Sequence, residues 1–194
     1  GMELRIKVMK SIFDLIVAPV IFIFLIPVIV IIIFLIKLTS QGPIFYWSNR
    51  VGKNNIIFKM PKFRTMQVGT PALPTHLMEN ANCYLTSVGP FLRKTSLDEI
   101  PPLWSILKGD MSFVGPRPAL FNQDDLVALR TSLGVHLLIP GLTGWAQING
   151  RDSLPIPEKV QWDKEYAEKQ SFLFDLYIFI KTFQKILFEK NVSH

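Results

Sequence analysis

The chain has 194 residues, with 21 Lys and Arg against 15 Asp and Glu, and a net charge of +6. Apolar residues make up 49% of it and its mean hydropathy is +0.30; that much apolar surface excludes a disordered chain. Cys83 is the single cysteine, which excludes an intrachain disulfide scaffold, and His76, His136 and His194 lie too far apart for a zinc-binding pair. The length suits one domain, and so positive a hydropathy in so short a chain implies that part of it lies in lipid.

That part is the run Leu15–Ile36, which carries no charge and is mostly Ile, Val, Leu and Phe. As a helix it would be roughly 33 Å long, enough for a bilayer core of about 30 Å. Length alone reads as a transmembrane helix. Two features oppose that reading. Pro19 and Pro27 interrupt the run, and Pro27 near its middle predicts a bend. Both flanks are also basic: Arg5, Lys7 and Lys10 precede the run, and Lys37, Arg50, Lys53, Lys59, Lys62 and Arg64 follow it. Basic flanks stay in the cytoplasm. A helix bent at Pro27 that enters and leaves by one leaflet satisfies both, so residues 1–38 are expected to form a re-entrant, monotopic anchor.

Residues 39–194 read as one further domain on the cytosolic face. Ile44–Trp47 and Ile56–Phe58 flank Gly52-Lys53-Asn54-Asn55 and predict a hairpin. Val68–Pro74 reads as a loop. A helix is expected over Ser96–Lys108, stopped by Gly109, and another within Ala119–Leu138. Pro140–Arg151 reads as an ordered loop. Glu158–Lys169 alternates charges as a solvated helix face does. Ser171–Phe188 reads either as a core helix or as one lying in the membrane interface. The fold class is therefore α+β and predominantly helical: a Pro-broken re-entrant helix, a small hairpin, and amphipathic interfacial helices around a catalytic site.

Three clusters carry the chemistry. In Arg93–Trp104, Ser96 and Glu99 fit a capping box, and Pro101-Pro102 fit only near a helix start. Asp98 and Glu99 then sit at the positive end of the helix dipole, which favours their ionised forms. Acids there are commonly caps. Beside Arg93 and Lys94, however, an ionised Asp can attack phosphorus, and a neighbouring carboxylate can hold Mg²⁺ with substrate phosphates. In Lys108–Pro118, Arg117 lies between two prolines that preset its backbone, suited either to a phosphate or to a structural carboxylate pair. In Pro140–Arg151, close glycines admit a ligand, Arg151 suits a phosphate, and Trp145 suits the core.

At these clusters the sequence resembles the bacterial sugar transferases, the monotopic phosphoglycosyl transferases that start glycan assembly on polyprenol phosphate. The matching strings are Lys10–Asp14, the Pro-interrupted run, Gly42–Phe45, Phe58–Met66, Ser96–Trp104, Lys108–Pro118 and Pro140–Arg151, in the family's order. The resemblance implies that Asp98 takes a phosphosugar from a UDP-sugar, releasing UMP, and passes it to polyprenol (undecaprenyl) phosphate. It implies Mg²⁺ as cofactor, with Asp98 and Glu99 as its ligands. It assigns Arg93 and Lys10 to the polyprenol phosphate and Arg117 and Arg151 to the sugar nucleotide. Lys62 and Arg64, in the matched basic string, join the substrate-binding set, as does Asp175, which matches an acid near the family's C-terminus. The implied partners are the two substrates and membrane lipid, not nucleic acid, and the implied location is the cytoplasmic face of the bacterial inner membrane. Two other classes remain open from the residues alone. A tethered basic module would bind anionic lipid or nucleic acid without turnover, and a membrane-bound aspartyl phosphatase would pass the phosphosugar to water.

Overall fold

The computed structural model describes residues 1–74, 77–150 and 154–189. Its first element, α1 (Met2–Thr39), is a continuous helix of 38 residues, about 57 Å long by its rise. The chain stays helical through Pro19 and Pro27, so neither proline ends it. The apolar residues of α1 are largely uncovered. Only 11% of its most apolar stretch is buried, and Phe24, Ile23 and Val20 are among its exposed side chains. A core helix of a water-soluble domain would be covered; this one is apolar and bare.

Both ends of α1 are tied to the same domain. Near its start, Lys10 Nζ donates to Val114 O at 2.6 Å, Asp175 Oδ2 at 2.6 Å and Tyr166 Oη at 3.2 Å. Tyr166 Oη in turn donates to Asp175 Oδ1, and Phe113 N donates to Asp14 Oδ1. Phe13 packs edge-on against Phe113, Phe172 and Phe179. Just past its end, the Arg64 guanidinium collects Ser40 O and Oγ, Gln41 O and Pro43 O. Ala18, Ile32 and Ile36 are buried.

The hairpin forms as expected. Strands β1 (Phe45–Val51) and β2 (Ile57–Phe63) pair antiparallel, with Phe45 opposite Phe63 and Val51 opposite Ile57. Asn54 and Asn55 take positive φ in the turn, which asparagine tolerates well. The expected Ser96–Lys108 helix is shorter. Helix α2 (Gly89–Lys94) is followed by a left-handed Ser96 (φ 57°), a 3₁₀ turn over Leu97–Glu99 and then α3 (Pro102–Lys108). With Ser96 in that conformation no capping box forms, and Ser96 makes no side-chain cap. Pro101 and Pro102, lacking N–H donors, open α3, and Gly109 at φ 84° closes it.

Strand β3 (Ser112–Val114) precedes α4 (Asp124–Ser132), and β4 (Gly141–Thr143) pairs parallel with β3. The stretch read as an ordered loop thus holds β4 and α5 (Trp145–Asn149). Its glycines serve backbone contact: a Cβ on Gly141 would fall 2.0 Å from Gly115 N, and one on Gly144 2.2 Å from Gly115 O. Helix α6 (Ile156–Lys169) is not wholly a solvated face, because Val160, Asp163 and Tyr166 point inward. Helix α7 (Phe172–Glu189) has one covered and one exposed side. Ile178 is in the core, while Leu173, Tyr177, Ile180, Phe183 and Ile186 form an exposed apolar face. The architecture is α+β and mostly helical.

Removing the Lys10 ammonium would leave Asp14 and Asp175 buried together without their cation. Lys10→Met is expected to destabilise the fold by about 3–5 kcal/mol, the cost of breaking a buried ion pair by deleting one partner. Thermal unfolding in detergent would measure it; an unchanged melting temperature would show that the pair is solvated.

Candidate active site

Asp98 and Glu99 occupy the 3₁₀ turn between α2 and α3, just before Pro101 and Pro102. The turn faces an open cleft of about 1880 Å³. Nine cationic side chains line it against three carboxylates, among the described residues. The acids are Asp98, Glu99 and Asp163; the cations include Lys62, Arg93, Lys94 and Arg117.

The adjacent carboxylates have unlike surroundings. Glu99 Oε1 accepts from Arg117 Nη2 at 2.6 Å and from Lys62 Nζ at 2.9 Å. Burial would raise its pKa, but the two cations outweigh burial and hold Glu99 far below the usual carboxylate range. Asp98 is more exposed to the cleft than to the protein's hydrogen bonds: among the described residues it accepts none. Burial pushes its pKa up, Lys62 pulls it down, and the Glu99 charge pushes it up again, with a net rise. The helix dipole expected to favour the ionised form of both acids is opposed at Asp98 by desolvation, the largest cause of its shift. Arg93, on α2, donates to Thr65 Oγ1 at 3.0 Å and feels the Asp98 charge.

The structure gathers Asp98, Glu99, Lys62, Arg93 and Arg117 in this cleft, and it gives three other expected residues protein partners of their own. Lys10 and Asp175 lie outside this cleft, paired with each other between α1 and α7. Arg64 borders the cleft but spends its guanidinium on the backbone after α1, as a strut. Arg151 lies outside the described residues. Arg130 and Asp163 were missed by sequence reasoning: both are buried, with Arg130 Nε 2.9 Å from Asp163 Oδ2. Asp163 sits in a charge-alternating stretch, and nothing in that pattern marks the one acid that turns inward.

The chain matches the family described as bacterial sugar transferase across residues 5–189. It belongs to that family. It is 35% identical to the uncharacterized sugar transferase EpsL of Bacillus subtilis, over 96% of this chain and 91% of that one. It is 37% identical to the UDP-glucose:undecaprenyl-phosphate glucose-1-phosphate transferase of Escherichia coli, over 91% of this chain and 39% of that longer protein. It is 35% identical to the UDP-N-acetylgalactosamine-undecaprenyl-phosphate N-acetylgalactosaminephosphotransferase of Aeromonas hydrophila, over 79% of this chain and 37% of that one.

For this sugar transferase the donor set bears on a metal. No group of three or more acidic, His or Cys side chains among the described residues suits one. Glu99 Oε1 is already shared by two cations, which leaves Glu99 Oε2 and the Asp98 carboxylate. Two carboxylates fit Mg²⁺ in its usual mode, in which substrate phosphates and water complete the shell.

The raised pKa of Asp98 has a stability consequence. The folded state holds the Asp98 proton more tightly than the unfolded chain does, so ionisation costs stability as pH rises through the folded pKa. Asp98→Asn removes that cost. It is expected to raise the melting temperature at neutral pH, and the gain should shrink on acidification and vanish below about pH 4, where Asp98 is protonated in both states. A gap that does not change with pH would show that the Asp98 charge is fully compensated.

Proposed function

We propose that this sugar transferase moves a phosphosugar from a UDP-sugar to polyprenol (undecaprenyl) phosphate through a covalent phosphosugar on Asp98. The observation that carries the reading is the pairing of unlike carboxylates under a cation-rich cleft. Glu99 is neutralised by two cations, whereas Asp98 is desolvated and takes no hydrogen bond from the described residues. A desolvated carboxylate with unshared lone pairs is the better nucleophile. The relatives named for UDP-glucose or UDP-N-acetylgalactosamine and undecaprenyl phosphate support the substrate class.

In the first step an Asp98 oxygen attacks the sugar-linked phosphorus. A P–O bond forms, the bond to the bridging oxygen breaks, and UMP leaves with that electron pair. In the second, a phosphate oxygen of the lipid attacks the same phosphorus and the acyl-phosphate bond breaks, freeing Asp98 and giving polyprenol-diphospho-sugar. Arg117, Lys62 and Arg93 face the charges that the phosphates bring. Asp98 and Glu99 would hold Mg²⁺ jointly with the diphosphate, whose charge it would offset.

The lipid acceptor implies a site at the membrane surface. Ile21 and Leu25 of α1 line the same cleft as Asp98, and the exposed face of α7 is apolar. Lys10 and Arg64 hold the two ends of α1 to one domain, which supports a helix that enters and leaves by the cytoplasmic leaflet of the inner membrane. A helix crossing once would part its ends by the bilayer. In a Cys83→Ser background, cysteines at Lys7 and Gln41 are both expected to resist a periplasmic reagent on intact cells. A periplasmic label at either position would refute the monotopic reading.

The chemistry is tested by mass measurement after brief exposure to UDP-sugar without lipid. A phosphosugar adduct is expected on Asp98 and none in Asp98→Asn; an adduct on another residue refutes the assignment. Arg117→Ala is expected to slow adduct formation about ten- to a hundred-fold, the worth of a charge-assisted hydrogen bond. Product that is free sugar phosphate even when lipid is present would favour a phosphatase.

A further inference from the structure

Arg117 reaches the site from a strap, Gly115–Ala119, that is buried except at Arg117 itself. Pro116 and Pro118 have no N–H, so the strap is fastened largely through its carbonyls. Four in a row are taken. Pro116 O accepts from Gly141 N at 2.9 Å, Arg117 O from Arg130 Nη1 at 2.7 Å, Pro118 O from Arg50 Nη1 at 3.1 Å, and Ala119 O from Val51 N at 2.9 Å. The residue that carries the guanidinium is thus gripped by a side chain of α4. That side chain is itself aligned from α6: Arg130 Nε and Nη2 lie 2.9 and 2.7 Å from Asp163 Oδ2.

We propose that Arg130 and Asp163 are a positioning pair for this reaction, holding the Arg117 carbonyl so that its guanidinium meets Glu99 and the diphosphate. The inference rests on the proposed function. A brace between α4 and α6 would need no charge, since an apolar pair of like volume usually stabilises a fold as well or better. What the charged pair adds is the fork: one guanidinium, oriented by Asp163, with a donor left for Arg117 O. Lys in its place has no fork and could not make both contacts in that geometry. Misplacing a catalytic group by about 1 Å from a distance can cost a hundred-fold.

The test compares Arg130→Met/Asp163→Leu, which removes both charges together, with Arg130→Lys and wild type. Full-length protein in detergent is mixed with UDP-glucose or UDP-N-acetylgalactosamine without lipid, a nucleotidase removes UMP, and adduct is followed by rapid quench and mass measurement. Both variants are expected to reach the wild-type labelled fraction with a rate constant about ten- to a hundred-fold lower. Adding Arg117→Ala to the apolar pair should cost no more than Arg117→Ala does alone, because the two act through one contact. A wild-type rate in either folded variant overturns the proposal. So does a reduced labelled fraction at an unchanged rate, the mark of a mere brace, and so do additive losses. Arg130→Lys keeps the charge beside Asp163 and decides the matter if the apolar pair does not fold. Wild type that takes no label from either sugar nucleotide would instead refute the covalent mechanism, and this inference with it.

Discussion

The fastening of α1 at both ends to one domain is the constraint from which the rest follows. Lys10 holds the start of the helix to Val114 and Asp175, and Arg64 holds the chain just past its end. Between those ties Ala18 and Ile32 pack into the core, while other apolar side chains of the helix, Val20, Ile23 and Phe24 among them, stay exposed. The ties are polar and buried, and the free surface is apolar and bare, so the same helix belongs to the core on one side and presents apolar surface on the other. Because its Ile21 and Leu25 also border the cleft, the fastening sets how far Asp98 stands from the apolar surface.

Desolvation separates the two neighbouring acids. Both are withdrawn from water, which penalises charge on each. Glu99 recovers the loss through Arg117 and Lys62, and Asp98 does not recover it from any hydrogen bond of the described residues. One carboxylate thus anchors the cations that face the cleft, and its neighbour keeps its lone pairs. The asymmetry comes from two elements distant in sequence, β2 and the Pro116–Pro118 strap, whose Lys62 and Arg117 hydrogen-bond only one of the two side chains.

Three arginines act on backbone in this fold rather than on acids alone. Arg64 gathers the carbonyls after α1, Arg50 takes Pro118 O, and Arg130 takes Arg117 O while paired to Asp163. The common reason is irregular chain. Where prolines or a helix end leave carbonyls without N–H partners, a planar fork with five donors satisfies them from one side chain. The cations of this basic chain are therefore used in different ways. Lys10 lies outside the cleft, Arg64 and Arg130 line it while holding backbone carbonyls, and Lys62, Arg93 and Arg117 stand beside Asp98 and Glu99.

Much of this was legible in the sequence, since local features act locally. The apolar run of α1, the Asn-rich hairpin turn, the Gly109 stop and the acid pair before Pro101 all depend on residue type and spacing. The resemblance in strings from Lys10 to Arg151 marked the family that the comparison across residues 5–189 established. What the sequence could not decide was direction. The left-handed Ser96 undid a capping box that spacing alone favoured, and glycines typical of a loop turned out to let β4 press against Gly115. The resemblance assigned Lys10 and Asp175 to the substrates; that they are each other's buried partners was not legible, because they stand 165 positions apart and meet only once the domain closes. Sequence determined which charges the protein has. Tertiary burial decided which of them are compensated by other side chains and which remain available to a phosphate, because that depends on distances no local pattern encodes.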